Sequence, residues 1–343
     1  MISAQGINKV AVIGTTSWGT TLSVLLARRE IATYLWSWLE EEAAQLRREG
    51  ENSLRQLGLT FPPALTVTHD LGEALAGAGL VVLAVPSSSL RENLRRLRPH
   101  LDPDAIVLSA VKGLESETGK RMSEVIGEEL GPALATPICV LSGPNLSREI
   151  ARGLPAAAIV ACDDLPTAET VRGLLMGPSL RVYTGGDVVG VELAGALKNI
   201  IAIGAGMCDG FGYGDNGKAA FLTRGLAEIT RLGLAAEAQA LTFSGLAGVG
   251  DLIATCYSPL SRNYTVGREL AKGRPLDEVL SSLGQVAEGV PTAVAARRLA
   301  QRLGVEMPIT EKMCRVLFEG LDPHRGLAEL MMREPRRELH GVQ

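Results

Sequence analysis

Short apolar segments of strand type alternate with helical stretches through the first half of this chain. Half of the segments are apolar at every position rather than at alternate positions. A strand that is apolar on both faces is typical of a parallel sheet covered by helices on both sides. The predicted strands are Val10–Ile13, Thr33–Trp36, Thr66–Thr68, Leu80–Val85, Ala105–Ser109, Ile138–Leu141, Ala157–Ala161 and Leu180–Tyr183. The alternation predicts a doubly wound, mostly parallel α/β sheet.

The pattern changes past about Gly185, where segments of strand type end. Apolar residues then recur at helical spacing, as in Val191, Leu193, Leu197, Ile200, Ile201 and Gly204. A chain of 343 residues is long enough for two domains. We therefore expect an α/β domain at 1–185 and an all-helical domain at 186–332. The charged segment 333–343 is predicted to be a flexible tail.

The composition argues against several other classes of protein. The net charge is −4, whereas nucleic-acid-binding domains are normally basic, and aromatic residues make up only 4%. The longest apolar run, Ala74–Val85, is too short to cross a bilayer, so we expect no membrane span and no signal peptide. The five cysteines are scattered and the four histidines form no ligand pattern. We expect reduced thiols, a cytoplasmic location and no metal site.

The first predicted strand leads directly into a glycine-containing loop and a helix. Gly14 and Gly19 stand where a dinucleotide-binding loop places two of its three glycines, and Thr16 takes the middle position. In such a loop, a tight turn brings a pyrophosphate to the N-terminus of a helix. We expect the Thr16 side chain to push the pyrophosphate outward or to require a shifted backbone. An ordinary strand, turn and helix with incidental glycines is the alternative.

The end of the second strand normally carries the residue that selects the cofactor. An acid there binds the ribose hydroxyls of NAD, and an arginine accommodates the 2′-phosphate of NADP. This chain has Trp36–Ser37–Trp38, which is neither. Glu40–Glu42 follow and are expected to form the solvated start of a helix. The choice between NAD and NADP therefore stays open.

Three charged residues interrupt apolar stretches of the chain. Lys112 follows a predicted strand, and Lys198 stands near the start of an apolar helical stretch. Asp251 directly follows the glycine-rich segment Gly245–Gly250. A buried carboxylate requires a cation, and Lys198 is available to it. The alternative for each lysine is that its ammonium reaches solvent. Ser261–Asn263 group a hydroxyl, a guanidinium and an amide, which suits a phosphate but also suits an ordinary polar turn.

Together these motifs resemble the bacterial NAD(P)-dependent glycerol-3-phosphate dehydrogenases. The resemblance extends from Lys9 to about Leu330, and the order and spacing of the motifs make it specific. The matching segments are Val85–Ser87, Ser109–Glu115, Leu141–Pro144, Gly195–Asn199, Lys218–Glu228, Gly245–Asp251, Ser261–Asn263 and Glu288–Gly289.

The resemblance implies that 1–185 is a Rossmann-type dinucleotide-binding domain and that 186–332 is the substrate and catalytic domain. It also implies a role for each matching residue. Lys198 would be the catalytic general acid or base, with Lys112 and Asp251 beside it. The implied substrate-binding residues are Lys112, Gly143, Asn145, Lys198, Asp251, Ser261, Arg262 and Asn263. The implied cofactor-binding residues are Gly14, Ser17, Trp18, Gly19, Trp38, Lys112, Ser147, Arg262, Val286 and Glu288. The chain departs from the family pattern at Thr16, at Trp38, where a basic residue is usual, and at Asn145 and Ser147.

The implied reaction is the reversible reduction of dihydroxyacetone phosphate to sn-glycerol 3-phosphate by NAD(P)H. It would supply glycerol phosphate for phospholipid synthesis, in a cytoplasmic homodimer with no nucleic acid or membrane partner. One rival is a β-hydroxyacid or ketopantoate-type reductase of similar architecture, which Ser261–Asn263 and Gly245–Asp251 argue against. A second rival is a non-catalytic dinucleotide sensor, which only Thr16 and Trp38 favour.

Overall fold

The structure is a computed structural model that describes residues 6–131 and 134–334. The chain forms two compact units. The first runs to Val111 and from Met122 to Val188, and the second comprises Lys112–Arg121 and the chain from Val189 onward. Most of the predicted tail, residues 335–343, lies outside the described residues.

The first unit is built on one sheet, which has eight strands within the described residues. The strands are β1 (Lys9–Ile13), β2 (Ala32–Trp36), β3 (Leu65–Thr68), β4 (Leu80–Leu83), β5 (Ile106–Ser109), β6 (Ile138–Ser142), β7 (Ala156–Ala161) and β8 (Leu180–Gly185). Their order across the sheet is β3-β2-β1-β4-β5-β6-β7-β8, and neighbouring strands are parallel except for β6 and β7. The predicted mostly parallel, doubly wound sheet is confirmed.

Both faces of this sheet are covered, which explains why its central strands are mostly apolar. Val10 and Val12 of β1 belong to a core on one face, and Ala11 and Ile13 belong to a core on the other. The strand order reverses between β1 and β4, and in open α/β sheets a ligand crevice lies at the carboxyl ends of the strands at this point.

The helices of the first unit follow the strands. They are α1 (Ser17–Ala27), α2 (Glu40–Glu49), α3 (Leu71–Leu75), α4 (Leu90–Leu97), α5 (Met122–Leu130), α6 (Ser147–Ala151) and α7 (Leu165–Leu175), with 3-10 turns at Ser53–Arg55, Ser87–Ser89 and Arg98–His100. The sequence pattern did not predict α5 and α6. Helix α5 contains Gly127, a residue of low helix propensity, and α6 is five residues long, too short to show a helical period.

The chain past Gly185 is helical in the part that the structure describes, as predicted. The helices are α8 (Val188–Gly210), α9 (Gly214–Ala235), α10 (Ala240–Phe243), α11 (Asp251–Tyr257), α12 (Arg262–Ala271), α13 (Leu276–Leu283), α14 (Gly289–Leu303), α15 (Pro308–Phe318) and α16 (Pro323–Met331), with a π-helical turn at Leu246–Gly250. By length and composition, Val188–Gly210 and Ala240–Tyr257 could cross a membrane. The first is 94% buried, as in the core of a soluble protein, and the π-helical turn interrupts the second.

Glycines let α8 and α12 approach each other closely. A Cβ atom added at Gly267 would lie 1.7 Å from the Ile203 carbonyl oxygen, and one added at Gly206 would lie 2.0 Å from the Tyr264 carbonyl oxygen. Only glycine fits at these two positions, because backbone cannot yield as a flexible side chain can. The contact fixes α8, which carries Lys198, against α12, which carries Arg262 and Asn263.

Candidate active site

Two glycines shape the loop between β1 and α1. Gly14 has φ +110°, and a Cβ atom there would lie 2.9 Å from the Ala84 carbonyl oxygen at the end of β4. A Cβ atom at Gly19 would lie 2.1 Å from the Gly14 carbonyl oxygen. Both positions therefore require glycine for the strand to turn into the helix. The loop thus has the tight turn that the dinucleotide-binding motif needs.

Thr16 is the N-cap of α1. Its hydroxyl accepts a hydrogen bond from the Gly19 amide at 3.1 Å and donates one to the Ala84 carbonyl oxygen at 2.7 Å. Its backbone angles, φ −62° and ψ 164°, are those of ordinary extended chain. The side chain that replaces a glycine is thus accommodated by the helix cap and by β4. Its effect on the position of a pyrophosphate stays a prediction.

The N-terminus of α1 presents donors that fit the phosphates of a dinucleotide. The Ser17 and Trp18 amides open the helix, where no carbonyl of the same helix can accept from them. The first turn contains no acidic residue. The Trp18 indole Nε1 is buried and has no acceptor among the described residues. These donors fit an anion at the positive end of the helix.

Polar residues that the sequence analysis overlooked surround this loop. Asn52 donates to the Thr15 carbonyl oxygen at 3.1 Å and to the Thr20 hydroxyl at 2.8 Å, and Arg55 Nε donates to the same Thr15 carbonyl at 3.2 Å. Glu42 accepts from the Thr15 hydroxyl at 2.8 Å and from the Ser37 hydroxyl at 2.6 Å. The expectation of a solvated glutamate was therefore wrong for Glu42, whose carboxylate fixes the loop to the end of β2.

Trp38 lies two residues past the end of β2 and contacts a cation. The Arg96 guanidinium of α4 stacks on the Trp38 ring, with its Cζ atom 3.8 Å from the ring centroid. The Trp36 ring packs edge-on against Trp38 at 5.9 Å. No pattern in the sequence indicated this role for Arg96, because it lies 58 residues away from Trp38 along the chain.

Gly143, Asn145 and Ser147 follow β6 in the first unit. Gly143 has φ +126°, and a Cβ atom there would lie 2.9 Å from the Ala157 carbonyl oxygen of β7. Asn145 Nδ2 donates to that same carbonyl at 3.0 Å, whereas its Oδ1 is buried with no donor among the described residues. Ser147 is the first residue of α6. The Asn145 amide group therefore bonds to β7, and its oxygen remains available as an acceptor.

The second unit brings Lys112, Lys198 and Asp251 together. Asp251 Oδ2 lies 2.7 Å from Lys112 Nζ, and Asp251 Oδ1 lies 3.1 Å from Lys198 Nζ. The expected ion pair of Asp251 and Lys198 is present in the structure, and Lys112 completes it. Thr255, which the sequence analysis overlooked, accepts from Lys198 Nζ at 2.6 Å and donates to Asp251 Oδ1 at 3.1 Å. It lies one helical turn after Asp251 in α11.

Lys198 lies in the middle of the 23-residue helix α8 rather than near its start. The neighbouring residues of the helix are buried and, apart from Asn199, apolar, so its ammonium is not on a solvated helix end. The segment Lys112–Arg121 is held against α14, because Arg298 donates to the Ser116 and Glu117 carbonyls and Arg302 to that of Thr118. These bonds fix the segment that carries Lys112.

Burial and charge set the protonation of this cluster. Lys198 is 5% exposed, and burial lowers the pKa of its ammonium to about 8, although the Asp251 carboxylate opposes that shift. Burial by itself would raise the pKa of the Asp251 carboxyl, but the two lysines outweigh it and hold that pKa below its ordinary value. Near neutral pH, Asp251 is therefore ionised and Lys198 can both give and take a proton.

Ser261, Arg262 and Asn263 open helix α12. The Ser261 hydroxyl caps the helix by accepting from the Tyr264 amide at 3.2 Å. Asn263 is buried, where its Nδ2 donates to Asn199 Oδ1 and its Oδ1 accepts from the Gly289 amide, both at 2.9 Å. Arg262 is exposed at the first position of the helix. The triplet is therefore a folded helix start, with the guanidinium as its exposed charge.

The remaining predicted cofactor residues lie just before α14. Val286 is exposed, and Glu288 is half-buried as the N-cap of the helix. The Asn263 side chain bonded to Gly289 links this turn to α12. Among the described residues, no three histidine, cysteine or acidic side chains come together in a way that could hold a metal ion.

Comparison with known proteins accounts for this arrangement. Residues 9–168 match the N-terminal model of NAD-dependent glycerol-3-phosphate dehydrogenase, and residues 187–328 match the C-terminal model. The chain belongs to the NAD-dependent glycerol-3-phosphate dehydrogenase family. The resemblance inferred from the motifs is confirmed, and with it the prediction of an NAD(P)-dependent oxidoreductase.

Individual relatives agree over nearly the whole chain. Glycerol-3-phosphate dehydrogenase [NAD(P)+] of Dehalococcoides mccartyi is 48% identical over 97% of this chain and 93% of its own length. The enzyme of that name from Pelotomaculum thermopropionicum is 48% identical over 97% and 96%. The crystal structure of glycerol-3-phosphate dehydrogenase from Coxiella burnetii superposes with a TM-score of 0.91 and 36% identity, covering 95% of this chain and 99% of that one.

Proposed function

We propose that this chain reversibly reduces dihydroxyacetone phosphate to sn-glycerol 3-phosphate with NAD(P)H, and that Lys198 is the general acid and base. The dehydrogenase activity follows from membership in the family. The role of the lysine is our proposal, and one observation carries it: a buried lysine bonded to a carboxylate and a hydroxyl, beside a second lysine.

Lys198 suits proton transfer because of where its pKa lies. A general acid works best when its pKa is close to the working pH, since it is then protonated yet gives up its proton readily. Burial lowers the pKa of Lys198 to about 8. During reduction, negative charge develops on the carbonyl oxygen of the substrate. The Lys198 ammonium would stabilise that oxygen and donate the proton, an effect of about 10²- to 10⁴-fold on the rate.

Asp251 and Thr255 would keep the lysine charged and aimed. The Asp251 carboxylate favours the ammonium form, and without it burial would lower the pKa of Lys198 further. The Thr255 hydroxyl accepts a hydrogen bond from the Lys198 ammonium at 2.6 Å, which orients the other N–H groups of the ammonium. Lys112 adds a second positive charge next to Asp251 and would strengthen the field at the reacting oxygen.

Other residues would hold the substrate and the cofactor. The exposed Arg262 guanidinium and the first amides of α12 suit the phosphate of the substrate, and the Ser261 hydroxyl retains its proton for donation. Asn145 Oδ1 can accept from a substrate hydroxyl. The α1 N-terminus with Ser17 and Trp18 would bind the pyrophosphate of the cofactor. The bound nicotinamide supplies the hydride.

The wider physiological role is also a proposal. Reduction would supply glycerol phosphate for phospholipid synthesis, in the cytoplasm and by a homodimer. The two alternative functions, a ketopantoate-type reductase and a dinucleotide sensor, predict different behaviour. A ketopantoate-type reductase would act on an unphosphorylated acid, and a sensor would bind the cofactor without turnover.

A spectrophotometric assay at about 340 nm tests the proposal, because reduced nicotinamide absorbs there. The purified protein is mixed with dihydroxyacetone phosphate and with either NADH or NADPH, and ketopantoate serves as the control substrate. Oxidation with dihydroxyacetone phosphate alone supports the proposal. Oxidation with ketopantoate alone would replace it with the reductase, and cofactor binding without any turnover would replace it with the sensor.

A further inference from the structure

The Arg96 guanidinium is free to bind an anion. Its Cζ atom lies 3.8 Å from the centroid of the Trp38 ring. Among the described residues, no carboxylate or carbonyl oxygen accepts a hydrogen bond from it. Its neighbours on α4 differ, because Arg91 and Arg95 both bond to Glu129, at 2.7 Å and 3.0 Å. Arg96 is exposed. Its donors therefore face solvent, while the flat face of the guanidinium rests on the indole.

Two of the three glutamates that follow Trp38 are already engaged, and the third, Glu41, is exposed on α2. Glu40 pairs with Arg47 at 2.6 Å. Glu42 accepts one hydrogen bond at each carboxylate oxygen, from Thr15 and from Ser37. In an NAD-specific enzyme, an acid at this edge accepts from the ribose diol. Here the Glu42 carboxylate holds the loop together instead, and the charge that contacts the Trp38 ring is the positive charge of Arg96.

Trp38 marks the place where the adenosine ribose of a dinucleotide would lie. It follows β2, which pairs with β1 at the reversal of strand order, and the selecting residue of such sheets stands at the end of β2. The chain from Trp36 to Leu39 contains no charged residue. A charge that selects the cofactor must therefore come from another element, and α4 delivers one through Arg96.

We propose that Arg96, held on the Trp38 indole, binds the 2′-phosphate of NADP and makes NADPH the preferred reduced cofactor. This inference rests on the proposed dehydrogenase function and names its cofactor. A guanidinium suits the task, because its planar fork bonds two phosphate oxygens while its face stacks on an aromatic ring. The stack also restricts the long side chain, so less freedom is lost when the phosphate binds.

A binding experiment isolates the 2′-phosphate from the chemistry of the enzyme. Isothermal titration calorimetry compares 2′,5′-ADP with 5′-AMP, which differ by the 2′-phosphate alone, on the parent chain and on Arg96→Ala. Arg98→Ala is the matched control, because this substitution removes the same charge. Arg98 is also exposed, but it stacks on no ring in the described structure. Thermal unfolding of all three chains checks that they fold.

The parent should bind 2′,5′-ADP more tightly than 5′-AMP. Arg96→Ala should lose about tenfold or more of its affinity for 2′,5′-ADP and keep its affinity for 5′-AMP, as expected for loss of a charged hydrogen bond. The ratio of kcat/KM for NADPH to that for NADH should fall by about the same factor. Arg98→Ala should show neither change.

Three results would overturn the inference. They are a parent chain that binds the two nucleotides equally, an Arg96→Ala variant that weakens both equally, and an Arg98→Ala variant that matches Arg96→Ala. The binding data need no dihydroxyacetone phosphate. A failure of the dehydrogenase proposal therefore appears separately, as absent turnover of the parent with either cofactor.

Discussion

Replacing Asp251 by asparagine removes the charge that keeps Lys198 protonated and changes little else in shape. Asp251 is 2% exposed and lies between two lysines, 2.7 Å from Lys112 Nζ and 3.1 Å from Lys198 Nζ. Asparagine retains an oxygen that can accept from one lysine. What the variant loses is the negative charge, so its effect on Lys198 is electrostatic in origin.

The size of the effect follows from the distance. Two unit charges 3.1 Å apart attract by about 5 kcal/mol at an effective dielectric constant of about 20. At about 1.4 kcal/mol per pKa unit, that corresponds to a downward shift of about 4 units as an upper bound. The remaining oxygen and entering water reduce it, so we expect about 2 units or more. Because the Lys198 pKa starts at about 8, most of Lys198 would be neutral at pH 7.

The assay is the pH dependence of kcat/KM for reduction of dihydroxyacetone phosphate. In the parent, the rate should fall as pH rises through about 8, because only the ammonium form of Lys198 donates a proton. In Asp251→Asn, the falling limb of the profile should move about two pH units lower. At pH 7 the value of kcat/KM should therefore be about tenfold lower, or more. Some stability is lost as well, since removing one member of a buried ion pair typically costs about 3–5 kcal/mol.

Asp209→Asn is the matched control. Asp209 accepts from the buried Lys218 at 2.6 Å and from the Tyr264 hydroxyl at 2.7 Å, so its replacement also strips a carboxylate from a buried lysine. It should lower the thermal midpoint and leave the pH profile in place. An Asp251→Asn profile whose falling limb coincides with that of the parent would refute the electrostatic role of Asp251.

Three further predictions follow from the same structure. In the oxidation direction, the parent should lose rate as pH falls through about 8, because neutral Lys198 must accept the proton, and initial rates with glycerol 3-phosphate check this. Thr255→Val should lower kcat for reduction and cost about 1–3 kcal/mol of stability, because it leaves Lys198 and Asp251 short of a partner, and Thr255→Ser should restore both. Gly267→Ala should cost about 3 kcal/mol or more in urea unfolding, since its Cβ would lie 1.7 Å from a carbonyl oxygen, whereas Gly127→Ala, with open space, should cost nothing.

The fold was predictable where one apolar pattern had one structural explanation. Strands β4 and β5 are buried at every position, and their continuous apolar sequence indicated a covered sheet. Strands β6 and β7 are just as apolar, yet they run antiparallel, and nothing in side-chain pattern distinguishes the two directions. Helix α6 was not predicted, because five residues are too few to show a helical period in hydrophobicity.

The charged cluster was only partly predictable. A lysine and an aspartate in apolar stretches had to find partners, and this reasoning paired Lys198 with Asp251. The same reasoning could not find Thr255 or Arg96, because threonine and exposed arginine fit many surroundings. Their partners lie 57 and 58 residues away along the chain, and helix packing alone decides that they meet. The position of Lys198 within α8 was also missed, since the apolar pattern continues on both sides of it.

The single measurement that tests the account most directly is kcat for dihydroxyacetone phosphate reduction by Lys198→Met, beside Lys218→Met. Both lysines are buried and bonded to a carboxylate in the second unit, but only Lys198 belongs to the proposed acid and base machinery. Lys198→Met should lose about 10²- to 10⁴-fold of kcat while remaining folded, and Lys218→Met should keep most of its kcat. A folded Lys198→Met variant that turns over at the rate of the parent would contradict the account.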